Sequence, residues 1–270
     1  MKYISLIATT LLTFAVLSCK STEEKVTPAQ RLFDRANEAV SRGDGAEALV
    51  MIDSLLNLNG VSSEMLKETV DLRLRAIRLD ATNTLAETGQ TITRDSLALE
   101  ALHEQFITVK ILDLEPFLIE KTAYNPDFAS RTGISARVMP ETGTTYITVS
   151  LSGKKGLNTV TLSSANSLSV VSDTIPRDLI TSMSTGEMAN LGIDASYRMA
   201  AFADSIGKPD DITLTFRNAN GNILASRKLS QQEFAGLRAA KQYVDLASSL
   251  RDAVIERARA QAILQKANTQ

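Results

Sequence analysis

Ile-Thr-Leu-Thr-Phe-Arg-Asn-Ala-Asn-Gly-Asn-Ile-Leu-Ala-Ser-Arg-Lys, residues 212–228, is the stretch that decides the fold class. Ile212, Leu214 and Phe216 alternate with Thr213 and Thr215, the period of a strand with one buried face. Asn220-Gly221 then predicts a type I′ turn with positive φ at both central residues, and residues 223–228 return as the partner strand. A chain otherwise rich in helical pattern must therefore also hold an antiparallel sheet.

Working upstream, residues 134–175 carry the same alternation. Ile147, Val149 and Leu151 are interleaved with Thr148 and Ser150, and Val160 and Leu162 with Thr159, Thr161 and Ser163. Turn signals at Glu141-Thr142-Gly143, Gly153-Lys154-Lys155-Gly156 and Ser164-Ala165-Asn166 cut this region into half-buried antiparallel strands. After Pro176, residues 185–206 read as helical or mixed, with Met199, Ala200, Ala203 and Ile206 on one side. Downstream of the hairpin, Ser230-Gln231-Gln232-Glu233 is a capping box that opens a long final helix. Its loose heptad (Ala240, Ala247 and Val254 with Tyr243, Leu250 and Leu264) is interrupted by Arg257 and Gln261, so it suits packing on one neighbour better than a self-dimerising zipper.

The N-terminal side is helical. Thr27-Pro28-Ala29-Gln30 combines a capping box with proline at the first helical position. Leu32, Phe33, Ala36, Ala39 and Val40 share a face, Gly43 stops the helix, and Asp44-Gly45-Ala46-Glu47 starts the next. Ala48, Leu49, Ile52, Leu55 and Leu56 line that second helix until Asn59-Gly60. From Ser62 to about Asp113 a stripe of Leu66, Val70, Leu74, Ile77, Ala81 and Leu85 resumes through Leu99, Leu102, Phe106 and Val109, closing at Glu115-Pro116. Gly89 leaves two arrangements open, one continuous helix or two antiparallel ones. The hairpin over residues 28–57 resembles a single tetratricopeptide-type helical pair. No second copy follows at the expected period of about 34, so it caps a neighbouring helix and builds no peptide-binding solenoid.

The first residues read as an export signal. Lys2 precedes an apolar run from Ile4 to Leu17, too short to span a bilayer core. It closes on Val16-Leu17-Ser18-Cys19, which resembles the lipobox of bacterial lipoproteins, Leu17 standing where a smaller residue is usual. Cys19 is the only cysteine, so no disulfide forms within the chain. Acyl chains on Cys19 would fix the protein to a membrane. Cleavage before Cys19 removes only one charged group, Lys2, leaving 28 basic against 31 acidic residues and a formal charge of −3. Such a balance excludes the basic footprint of a nucleic-acid binder.

No catalytic, cofactor-binding or metal-ligating set emerges. His103 is the single histidine, and with no other thiol or imidazole a zinc site lacks ligands. A Ser-His-Asp arrangement would need His103 as its base, yet no Gly-x-Ser-x-Gly turn presents a nucleophile. The acidic pairs Asp210-Asp211 and Glu23-Glu24 fit solvated turns, and Gly153-Lys154-Lys155-Gly156 lacks the Lys-Ser/Thr of a P-loop. The chain has no tryptophan, and Tyr124, Tyr146, Tyr197 and Tyr243 are the only tyrosines after the signal, which weakens a sugar-stacking role.

Together these features predict an α+β protein. They divide it into a signal peptide (1–18), a tether (19–27), a helical region (28–115), a sandwich-like antiparallel β module with an embedded helix (128–229) and a long C-terminal helix (230–270) packed on the helical region. The order resembles Bacteroidota-type envelope lipoproteins, themselves of unknown function. That resemblance implies a non-catalytic binding or scaffolding role, anchored at Cys19. The expected site is the outer membrane, because Lys20 rather than Asp follows the cysteine and Lys20-Ser21-Thr22-Glu23-Glu24 resembles an acidic surface-export signal. The expected partner is another envelope protein. A small-ligand or glycan-binding module is the alternative, and an enzyme of unrecognised type the third.

Overall fold

The computed structural model describes residues 27–110 and 115–269. The lipobox, Cys19 and Glu23-Glu24 lie outside the described residues. The chain divides into two compact units, the boundary in sequence falling between Asp80 and Ala81.

The first unit contains α1 (Pro28–Ser41), α2 (Gly45–Leu56) and the opening turns of α3 (Ser63–His103). Thr27 Oγ1 accepts the Gln30 N–H at 3.1 Å and starts α1, and Asp44 Oδ1 accepts the Glu47 N–H at 2.8 Å and starts α2. Ala36, Ala39, Ala48, Ile52, Leu72 and Ala76 form a core in which four of six side chains are methyl groups. Small residues let the helix backbones approach closely. At Gly45 a Cβ would lie only 2.4 Å from the Asp80 amide nitrogen and 2.6 Å from the Ala76 carbonyl oxygen, so glycine is required there.

The second unit holds two antiparallel sheets. The larger runs in the order β1 (Phe106–Val109), β2 (Phe117–Glu120), β3 (Gly133–Met139), β4 (Thr144–Ser152), β8 (Gly186–Asn190), β7 (Ile180–Met183). The smaller runs β10 (Ile223–Lys228), β9 (Ile212–Arg217), β5 (Thr159–Ser164), β6 (Ser169–Val171). Between β8 and β9 stands α4 (Ile193–Ile206), and α5 (Gln231–Asn268) closes the chain. The α+β class, with its embedded helix and long terminal helix, is thus present. One core unites Ile134, Ala136, Val138, Ile147, Val149 and Leu151 with Val160, Leu162, Leu214 and Phe216, covered by Met199 and Ala203 of α4 and Leu237 and Ala240 of α5. The alternation read at residues 147–151, 160–162 and 212–216 places these side chains inward.

Three expectations require correction. The helix expected to run to about Asp113 ends at His103, and residues 106–109 form β1, pairing Phe106 with Glu120 and Val109 with Phe117. Phe106 and Val109 fit a helical stripe, but Ile107-Thr108-Val109 is a β-branched run, and its backbone gains a sheet partner. The Asn220-Gly221 turn is not type I′, since Gly221 has φ +80° whereas Asn220 is absent from the positive-φ residues. Asn218 Oδ1 instead accepts the N–H groups of Asn220 (3.0 Å) and Asn222 (2.9 Å), and the Gly221 N–H reaches the Asn218 carbonyl at 3.0 Å. That is a longer loop closed by an Asx turn with one left-handed glycine. In α5 the heptad residue Val254 is half exposed, and the buried line in its second half is Ala253, Ala260 and Ala267. Gly89 causes no break, for α3 is continuous through it.

α5 is bound into the second unit by polar ties. Ser230 and Glu233 form the full capping box, and Ser249 Oγ donates to Asp95 Oδ2 of α3 at 2.6 Å. Arg238 donates to Asp204 of α4 at 2.9 Å. Among the described residues no helix is long and apolar enough to cross a membrane.

Candidate functional site

The residues singled out for chemistry do not converge. His103 is exposed at the end of α3, its ring centroid 6.4 Å from that of Tyr243. Asp210 and Asp211 sit exposed in the short turn before β9. No cluster of three potential metal ligands occurs among the described residues. The glycine-lysine loop does present an anion-binding nest, with the amides of Gly156 and Leu157 both directed at one point. That point is occupied by the chain's own carboxylate: Glu187 Oε2 accepts both N–H groups at 2.7 Å. Glu187 is buried on β8, so the loop is sealed against a phosphate.

Sequence reasoning missed the site that the sheet itself builds. The larger sheet has one face in the core. Its other face is partly covered by the segment after β2, whose 3-10 turn (Phe128–Ser130) lies over β4 and β8. Under this cover even the hydroxyls are buried, Ser150 Oγ donating to the Ala129 carbonyl at 3.2 Å. Further along the strands the cover ends. There Arg137 of β3 stands directly opposite Tyr146 of β4, with Phe117 of β2 on its other flank.

The Arg137 guanidinium lies over the Phe117 ring, 4.5 Å from its centroid. A cation over an aromatic face is attracted by the ring quadrupole. Among the described residues no hydrogen bond adds to this contact. Arg137 makes no ion pair among the described residues, and its Nε is sealed from solvent without an acceptor. Burial pushes the guanidinium below its usual pKa range, as expected of a cation partly removed from water. The other buried or half-buried charges of this unit contrast with it. Arg227 is paired with Glu233, and Glu187 is held by two amides and Arg177.

Two shallow cavities meet at Arg137 and Phe117. One, of about 340 Å³, is lined by Glu115, Phe117, Arg137, Met139, Tyr146 and Asn190. The other, of about 360 Å³, runs toward Lys110, Ile119, Tyr124 and Met188. In the first, Asn190 Oδ1 is held by the Thr148 hydroxyl at 2.7 Å, which leaves the Asn190 amide nitrogen as its free end. Guanidinium, phenol and amide thus share one hollow with the Glu115 carboxylate, the Phe117 ring and the Met139 thioether. Two other depressions lack this character. That between α3 and α5 has alanine and leucine with Gln105 and Gln242 around an Asp245 already bound to Tyr197 and Lys241, and no cation of its own. That beside β10 contains the Arg227–Glu233 pair itself.

No family model, no curated protein and no solved structure matches the chain. The local signal for Arg137 was present in the sequence as a charge in an otherwise apolar strand, Gly-Ile-Ser-Ala-Arg-Val-Met (133–139). Its want of a partner is a tertiary property.

Proposed function

We propose that the chain is a membrane-anchored, non-catalytic lipoprotein of a bacterial envelope that presents a binding face on its β unit. Anchoring rests on Val16-Leu17-Ser18-Cys19 behind the apolar run, with Cys19 as the acylated residue. The outer membrane is the proposed location, from Lys20 at the position after the cysteine. The observation that carries the binding role is Arg137, a guanidinium that makes no ion pair among the described residues and lines an open hollow. A desolvated charge with no partner costs stability, and such a cost is retained where a ligand supplies the missing partner.

The occupant is another envelope component, or a small ligand; the second reading is favoured by the converging donors of Arg137, Tyr146 and Asn190. The test is made in intact cells. A photo-crosslinking amino acid replaces Tyr146, or for comparison exposed Leu97 on α3, and adducts are identified by mass spectrometry. A discrete adduct from position 146 and none from position 97 is expected. Absence of any adduct at 146, or equal labelling at both, overturns the assignment of this face.

A further inference from the structure

Resting on that reading of the binding face, we infer that the group docking against Arg137 is a single carboxylate carried on an apolar body. A guanidinium binds carboxylates through two parallel N–H···O bonds; Nε of Arg137 is sealed, so the edge a ligand can meet is that of the two terminal nitrogens, which make no ion pair among the described residues. The hollow supplies one such fork and two neutral donors, the Tyr146 phenol and the Asn190 amide. The Lys110 of the adjoining cavity is exposed, and the hollow's own lining has no second cation. Glu115 stands on its rim and opposes any further negative charge.

Phosphate is disfavoured on the same grounds. Its near-dianionic charge and three acceptor oxygens call for several donors or a nest of backbone amides. β3 and β4 pair from Gly133–Ser150 to Met139–Thr144, the Ile134 and Ile147 amides outside that ladder are taken by Glu233 and Ser196, and the nest at Gly156 and Leu157 is closed by Glu187. The remaining walls are the Phe117 ring and the Met139 thioether, with the Tyr146 ring opposite. They match an apolar or aromatic substituent next to the carboxylate. A polyanionic chain would find neither the charge nor the length of basic surface it needs.

Two sources offer this chemistry, a free organic acid and the C-terminal carboxylate of a polypeptide. The experiment uses the full-length protein purified in detergent, with binding followed by calorimetry. The probes are 3-phenylpropionate, its neutral amide 3-phenylpropionamide, inorganic phosphate, and acetyl-Ala-Ala-Phe with a free or an amidated terminus. Each acid is expected to bind at least about tenfold more tightly than its amide, as for one charge-assisted bidentate contact. Arg137→Gln is expected to abolish that preference, and Arg137→Lys to keep part of it. Tighter binding of the peptide acid assigns a polypeptide terminus, and tighter binding of phenylpropionate a free acid; both support the inference.

Equal affinity for acid and amide overturns it. So does undiminished acid binding by Arg137→Gln, displacement by equimolar phosphate, or no binding of any probe. Because Arg137 loses no ion pair among the described residues, only its stacking on Phe117, Arg137→Gln is expected to fold, which its melting curve verifies. Were it not to fold, the acid-against-amide comparison on the unmutated protein, repeated with Tyr146→Phe, decides. A crosslink at position 146 together with indifference to carboxylate refutes this inference while leaving the binding face in place.

Discussion

Oε1 of Glu233, in the first turn of α5, accepts the N–H of Ile134 in β3 at 3.0 Å, across ninety-nine positions of the chain. The same carboxylate accepts from Arg227 of β10 and from the Ser230 N–H that it caps. One side chain thus ties the terminal helix to both sheets. Burial acts to raise its pKa, but the Arg227 hydrogen bond and the Ser230 and Ile134 amides together outweigh burial and hold it below the ordinary glutamate value.

A carboxyl group whose pKa is depressed on folding contributes stability above its unfolded value, near 4.3, and loses it as pH falls through the lower folded value. Glu233→Gln should therefore cost about 2–3 kcal/mol at neutral pH, the range for breaking a partly buried pair with its hydrogen bonds. Chemical denaturation of both proteins as a function of pH checks this. The difference should be full at pH 6–7 and shrink below about pH 4.5. A constant difference down to pH 2–3 would show that the ionised form is not what matters.

The loop between β9 and β10 makes a discriminating test of its turn type. Asn220→Ala should change stability by less than about 0.5 kcal/mol, because its φ is not positive. Asn218→Ala should cost about 1 kcal/mol for the two N–H groups its side chain receives. Gly221→Val, forced to φ +80°, should cost about 1–2 kcal/mol from backbone strain alone, as nothing lies within 4 Å of its Cβ direction. Thermal melts rank the three, and a large loss at Asn220 would restore the type I′ assignment.

Core and contact positions are expected to be costlier. Phe216, fully buried on β9, should lose about 3–5 kcal/mol on truncation to alanine. In the first unit Gly45→Ala places a methyl group against backbone atoms of Asp80 and Ala76, which cannot swing aside as a side chain can. A loss of about 1–3 kcal/mol is expected from such overpacking. If Gly45→Ala melts like the parent, the close approach of α2 to α3 is wrong.

Arg137 should behave in the opposite sense. Arg137→Leu removes an unpaired cation from a half-buried site beside Phe117. The variant is expected to be more stable by about 0.5–1.5 kcal/mol in urea unfolding, part of the usual cost of a desolvated polar group without a partner. A destabilised Arg137→Leu would mean that the side chain serves packing, and would weaken the case for a vacant binding fork.

Anchoring is tested at Cys19. Cys19→Ala should release the protein from membranes or leave it unprocessed, as read by fractionation and gel mobility. Normal processing and unchanged fractionation of that variant would end the lipoprotein proposal. His103→Ala, at an exposed helix end, should alter neither stability beyond about 0.5 kcal/mol nor the cellular phenotype.

What the sequence by itself determined was whatever depends on local period and capping. Period-two alternation at 147–151, 160–162 and 212–216 set the strands and their inward faces, and Ser230–Glu233 set the start of α5, because both signals are complete within a few residues. Tertiary structure decided the rest. Phe106–Val109 satisfies two periods at once, and only the pairing with Phe117–Glu120 made it a strand. Asn218, outside the Asn-Gly dipeptide, chose the turn. Glu187 filled the glycine-lysine nest from thirty residues away. Arg137 stands without an ion pair among the described residues because β2, β4 and β8 bring it a ring, a phenol and an amide, while Glu115 of the same hollow lies beyond pairing distance. A residue type can be read from its own position, whereas the presence or want of a partner is a property of everything the fold brings near it.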